Sequence, residues 1–352
     1  MARPYRARLD RLAASAGTFE DRLRIFLADR YGAAHFLKPV LDRAPEAFFT
    51  NSDDDVLQRL WAREHGLPRS TSLSAILLAQ IEHHRTEVFY SLDPVRHDSA
   101  FLRRLPGCVR RRIAWQAAPH GRSDWQGYDL LINNFTSLLD DFRRRGLRAA
   151  WFAPAVDPVM AQYAANEDRP IDVLFAGGFS RHHRRRTELL EAVAGLAPHA
   201  RIAFHLEASR LTHLAERLPV GGLLARHRRP ATIVSVARPA IYGLDLYEAL
   251  SRARIVLNCA IDMAGEDRGN MRCFEAMGCG ALLLSDEGRY PDGMAPNRTM
   301  TTWRSPEEAC HRALELLADE PRRRAVAKAG TTMLSEAHSK ERQWELFVQL
   351  SA

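Results

Sequence analysis

Apolar positions along this chain fall into short runs separated by amphipathic stretches. In the first half the runs occupy 24–28, 47–50, 87–90, 112–115, 129–132 and 149–152, each with the length and apolar density of a buried strand. Between them, 56–64 and 72–83 carry helical spacing. This alternation predicts an α/β architecture with doubly wound parallel sheets. Pro154, Pro158 and the polar segment 166–170 interrupt the pattern.

The alternation restarts with a strand over 171–176, followed by Gly177-Gly178 and a helix from about His183. A strand is expected over 201–204, a helix from about Ser209, a weaker strand over 232–236 and a helix over 244–251. Strands at 255–257, 281–284 and 300–303 complete the series. Ser305-Pro306-Glu307-Glu308 then opens a helix, with proline in the first turn and acids beside it. The expected division is a domain over 1–165, a second over 166–335, and a terminal helix over 336–352 packing back on the first.

The segment 255–287 carries the most chemistry. An apolar strand ends in Asn258, a polar loop follows, and Gly269-Asn270 opens a short helix before a second buried strand. Ligands in such sheets gather at the carboxyl ends of strands, and the free N–H groups of a helix start hold phosphate. Asn270, Met271 and Arg272 therefore form a candidate diphosphate site. Glu275 is a carboxylate within a helix that packing alone would fill with Ala or Leu. Its plainer reading is a surface partner for Arg272, and that of Asn270 is a simple helix cap.

Asn270-Met271-Arg272, Phe274-Glu275-Ala276 and the run from Gly278 to Asp286 resemble the donor-binding segment of GT-B glycosyltransferases, in particular the CgeB-like (spore maturation protein) branch of the group 1 enzymes. Residues 172–179 with 182–190, the stretch 242–247 before Ser251 and Asn258, and 114–116, 128–130 and 142–146 extend the resemblance. It implies two Rossmann-like domains facing a cleft, with C-terminal helices. It also implies that Glu275 binds the ribose hydroxyls of a nucleotide-diphosphate sugar and that the helix start faces the diphosphate. Group 1 enzymes often carry Glu, seven residues, Glu. Here the first position is Asp267, eight residues before Glu275.

Gly177 and Gly178 let the backbone approach a ligand closely. His183 and Arg186 are the basic candidates against a departing diphosphate, as the resemblance implies, with Arg184 and Arg185 as alternatives in the same run. Asp267 and Glu266 lie in the loop expected to face the donor sugar; solvated loop acids are the plainer reading. In the first domain His120 is the candidate base. Tyr31, Gly32, His35 and Gln116 are expected on the acceptor side, the first two placed just after the first strand and His35 on the helix that follows.

Composition narrows the classes. Of 352 residues 46% are hydrophobic, and no apolar run approaches the ~20 residues needed to span a bilayer. The five cysteines are scattered, with no zinc spacing, so small buried thiols are expected. The net charge of +7 rests almost wholly on arginine and favours anionic ligands. The basic runs lack aromatic interleaving, and nucleic acid is not expected as a partner.

There is no Walker lysine motif, no G-x-S-x-G, no H-E-x-x-H and no GxGxxG after the first strand. Asp53-Asp54-Asp55 precedes a helix and suits N-capping rather than a metal. No metal or cofactor is expected beyond the nucleotide sugar as co-substrate.

The expected function is a cytoplasmic glycosyltransferase, retaining and metal-independent. Its acceptor would be a cell-surface glycan, a lipid-linked species or a protein, with peripheral membrane contact possible. A GT-B sugar-nucleotide epimerase and a non-catalytic nucleotide-sugar or polyanion binding protein are the alternatives.

Overall fold

The computed structural model describes residues 3–118, 123–179, 183–217, 227–260 and 265–352. The chain divides into two compact units, one of Met1–Pro154 with Lys340–Ala352 and one of Ala155–Ser339.

The first unit opens with helices. The run expected as a strand over 24–28 lies within helix Phe19–Ala28. Thr18 caps that helix by accepting from the Asp21 amide, acids occupy its first turn, and Phe19, Leu23, Phe26 and Leu27 are buried at helical spacing. The apolar residues of this run are buried with a helical rather than a strand period. No strand forms over 47–50. Phe48 stacks on His84 and Phe49 packs against Phe26 and Phe36, so aromatic contacts anchor an irregular segment there.

Four parallel strands follow: β1 (Val88–Ser91), β2 (Arg111–Trp115), β3 (Leu130–Asn133) and β4 (Ala149–Trp151), hydrogen-bonded in chain order. Alternate residues of β2 feed two cores. Ala114 packs with Leu77, Ile81 and Phe142 on one face. Ile113 and Trp115 pack with Leu37, Phe152 and Phe347 on the other. Phe347 belongs to helix Lys340–Ser351, which is fixed in this unit by its first residue. Lys340 Nζ donates to the carbonyls of Ala33, Ala34 and Phe36 at 2.8, 3.0 and 2.6 Å.

The second unit holds β5 (Ile171–Gly178), β6 (Ile202–Glu207), β7 (Ala237–Pro239), β8 (Ala253–Leu257), β9 (Leu282–Asp286) and β10 (Thr301–Trp303). All are parallel, in the order β10-β9-β8-β5-β6-β7. Residues 232–236, expected as a strand, lie in helix Ala231–Val236, whose Ile233 and Val236 are buried three residues apart. Strand order reverses between β5 and β8. Connections leave to opposite sides there, which opens a crevice at the carboxyl ends of those two strands.

Candidate donor-nucleotide site

Gly178 ends β5 at the crevice, and an added Cβ there would meet nothing within 4 Å. At Gly177 an added Cβ would come 3.1 Å from the Phe175 ring, so the two glycines differ: one is packed and the other is open. Helix Arg184–Ala194 begins beyond the turn with His183 at its N-cap, but the His183 side chain makes no capping bond.

The arginine run resolves by direction. Arg184 is exposed and pairs with Glu188 on its own helix. Arg185 lies over the Trp303 ring, 5.3 Å from its centroid. Arg186 reaches across the sheet end and donates from Nη2 to the Cys259 carbonyl at 2.8 Å, just past β8. Arg186 is thus the member that borders the crevice. Its Nε–H is buried and has no acceptor among the described residues. Arg181 and His182 lie outside the described residues, as does His120.

On the opposite wall, helix Met271–Gly278 starts from Gly269, whose φ of +97° requires glycine, and Asn270. The helix ends in a Schellman closure: Gly280 donates to Met277 and Ala281 to Ala276, with Gly280 at φ +74°. Asn270 occupies the N-cap position, yet its side chain does not bond the helix amides. Its Nδ2 donates to Asn258 Oδ1 at 3.2 Å, and Asn258 Nδ2 donates to Ser285 Oγ at 2.9 Å. The ends of β8 and β9 and the helix start are therefore tied by one polar chain, and the simple capping reading of Asn270 is replaced.

Glu275 is buried, and its Oε2 stands 2.5 Å from Arg272 Nη1. The pairing expected of a surface glutamate exists, but it is not at the surface. Burial raises the Glu275 carboxyl above its ordinary value, and the Arg272 charge opposes that rise. Arg272 Nε–H is buried without an acceptor among the described residues.

The loop between β8 and this helix is anchored by residues that sequence reasoning passed over. Asp286, the last residue of β9, accepts from the Ala260 amide at 3.0 Å through Oδ1 and pairs through Oδ2 with Arg268 Nε at 2.6 Å. Both partners are buried. Asp267 is buried as well, bridged to Arg289 with Arg289 Nη2 3.3 Å from Oδ1, whereas Glu266 beside it is 82% exposed. The solvated-loop reading fits Glu266 and fails for Asp267. The available signal was Ser285-Asp286 at the end of an apolar strand, since a carboxylate there must find a partner.

Elsewhere the expectations fare differently. Tyr31 and Gly32 follow helix Phe19–Ala28, not a strand, and His35 ends the short 3₁₀ helix Ala33–His35. Tyr31 stacks on Tyr5 with centroids 3.7 Å apart, and His35 lies against Trp115. Burial and the Lys340 charge pull His35 down to about 4, so it is neutral at physiological pH. Gln116 is buried at the end of β2 and donates into its own loop, to the Ala118 carbonyl. Cys259, Cys273 and Cys279 are buried free thiols. Asp54 caps helix Asp55–Glu64 and pairs with Arg22. Among the described residues no group of acidic, histidine or cysteine side chains could hold a metal ion, and no helix is long and apolar enough to cross a membrane.

The chain is similar in part of its sequence and in fold to known proteins. Residues 184–349 match the family described as glycosyl transferase-like. Among solved structures, Anabaena HepE in complex with UDP and glucose aligns with TM-score 0.54 at 12% identity, over 84% of this chain and 88% of HepE. A glycosyltransferase from Rickettsia africae aligns with TM-score 0.55 at 8% identity, over 94% and 93%. A mutant of S. aureus TarM in complex with fondaparinux, alpha-GlcNAc-glycerol and UDP aligns with TM-score 0.57 at 9% identity, over 80% of this chain. This chain spans 59% of the TarM chain. No curated protein matches it.

Proposed function

We propose that this chain, a glycosyltransferase of GT-B fold, takes a nucleotide-diphosphate sugar in the crevice between β5 and β8 and passes the sugar to a glycan, lipid-linked or protein acceptor. The observation that carries the donor assignment is the buried Glu275–Arg272 pair behind a helix start at a topological switch point. A carboxylate held there accepts hydrogen bonds from two adjacent ribose hydroxyls. Arg186 and Arg272 each keep a buried N–H without an acceptor among the described residues, and phosphate oxygens would supply two. The amides of Met271 and Arg272 add the positive end of the helix dipole.

Chemistry follows from charge. As the glycosidic bond to the donor breaks, negative charge accumulates on the leaving diphosphate. Arg186 and the helix start stabilise it, which makes a divalent metal unnecessary. Transfer with retention, membership of the CgeB-like branch, a first unit that binds the acceptor and a cytoplasmic setting complete the proposal. Asp267 acts in it by fixing Arg289 and the sugar-facing loop rather than by free contact. The fold likeness to HepE, whose structures hold UDP and UDP-glucose, supports the donor class.

The test is a thermal-shift screen of nucleotide-diphosphate sugars, followed by assay of nucleotide release with and without acceptor glycans. Bound donor raises apparent stability in proportion to its occupancy. The expected result is a shift with one nucleotide class and release that depends on acceptor. A panel that shifts nothing, or donor conversion without acceptor, overturns the proposal.

A further inference from the structure

The second unit carries another concentration of positive charge at the opposite end of its sheet. A cavity of about 450 Å³ is lined by Arg169, Arg254, Arg323, Arg324 and Lys328, against Glu167 and Glu320. Arg169 lies two residues before β5 and Arg254 lies near the start of β8, so the cavity sits at the amino ends of the strands whose carboxyl ends form the crevice.

The cluster is built rather than scattered. Arg169 donates to the carbonyls of Ala253 and Cys279 at 3.0 and 3.1 Å, and its guanidinium lies over Gly280, where an added Cβ would meet Nη2 at 2.7 Å. Arg323 is buried on helix Glu320–Ala337 and donates to the Leu316 carbonyl. These two guanidinium groups are held mainly by neutral carbonyls. Arg254 is drawn to Asp172 at 2.8 Å, and Arg324 to Glu320 at 2.7 Å. The Glu320 carboxylate stands 3.9 Å from Arg323. Burial lowers the affinity of Arg169 and Arg323 for their protons, and each feels neighbouring arginines that add to the effect. The lining thus gathers five cations against two carboxylates, with Thr331 and Thr332 at its edge.

We propose that this cavity is a second anion site, separate from the donor crevice, that takes a phosphate-bearing small molecule. A multivalent oxyanion would relieve the like-charge crowding and bridge Arg169 and Arg323 to the more exposed Arg324 and Lys328. The volume exceeds that of a lone phosphate and suits a diphosphate or a phosphate ester. Helix Glu320–Ala337 packs on helix Met271–Gly278, with Thr331 donating to the Met277 carbonyl at 2.8 Å, so occupancy would brace the helix that carries Glu275.

The test is calorimetric titration with inorganic pyrophosphate, against sodium chloride at matched ionic strength, with and without saturating UDP. The proteins are the wild type and the double variant Arg324→Ala/Lys328→Ala, whose replaced side chains lie outside the donor crevice. The expected result is a pyrophosphate site that persists under UDP and weakens about tenfold or more in the double variant, while UDP affinity is unchanged. Pyrophosphate binding that vanishes under UDP, equals the chloride effect, or is unaltered in the double variant overturns the inference. Failure of UDP to bind at all would count against the donor proposal and leave this site to be judged by the double variant.

Discussion

Arg272 and Glu275 stand three residues apart on one helix and form a 2.5 Å ion pair in which the carboxylate is 3% exposed. Both groups lie at the crevice where the parallel sheet reverses its strand order. The pair holds a carboxylate ready to accept hydrogen bonds, at the cost of desolvating it, and that tension shapes what the site should do.

The pH dependence follows from the direction of the shift. Burial places the folded Glu275 carboxyl above its unfolded value near 4.5, so the folded state binds the proton more tightly. The group's contribution to stability is therefore most favourable when both states are protonated. It declines as pH rises from the unfolded value through the raised folded one. Glu275→Gln should remove that decline, measured by denaturant unfolding across the acidic range. Donor affinity should run the other way in the wild type, weakening on acidification as the acceptor oxygen is protonated.

Arg186 should act on the transition state more than on the ground state. Arg186→Ala is expected to lower kcat by about a hundredfold, with a smaller change in nucleotide affinity. Arg184→Ala, which alters an exposed pair, should leave both within about twofold of wild type. Steady-state kinetics alongside nucleotide titration checks the contrast.

The buried Arg268–Asp286 pair should matter to stability before it matters to chemistry. Asp286→Ala leaves a buried guanidinium uncompensated and frees the Ala260 amide, and is expected to cost about 3–5 kcal/mol in chemical unfolding. Arg268→Met with Asp286→Leu should recover much of that loss, since neither charge is then stranded. Nucleotide affinity in the double variant reports what the loop anchor adds to binding.

Lys340 offers an independent check on the first unit. Lys340→Met keeps the volume but leaves three buried carbonyls around residues 33–36 without their shared donor. A destabilisation of about 3 kcal/mol is expected, read by thermal or denaturant unfolding, with UDP affinity per folded molecule unchanged.

The sheet strands near residues 90, 113, 131, 173, 203, 256 and 283 were legible as apolar runs, and the polar chemistry clustered at the strand end that the runs implied. Two of the errors share a cause. Residues 24–28 and 232–236 are short apolar runs in which strand and helix periods are not separable without their neighbours. Their helices are set by an N-cap at Thr18 and by buried positions three apart at Ile233 and Val236. At the site, Glu275 was visible because it is polar where packing would take an apolar residue, and Asn270 because it opens a helix after a strand and loop. Asp286 and Arg268 were not, because a buried pair 18 positions apart in sequence is created by the fold. The bearing of each arginine in the run 184–186 likewise depends on helix phase, which Trp303 and the Cys259 carbonyl settle from distant segments.

The account rests on Glu275 as the ribose contact, and calorimetric titration of the wild type and Glu275→Ala with UDP tests it most directly. Circular dichroism and unfolding confirm that the variant remains folded. The predicted result is affinity lost by about a hundredfold or more at a folding cost of only a few kcal/mol, because Arg272 is partly exposed and can be rehydrated. A folded Glu275→Ala protein that binds UDP as tightly as the wild type contradicts the account.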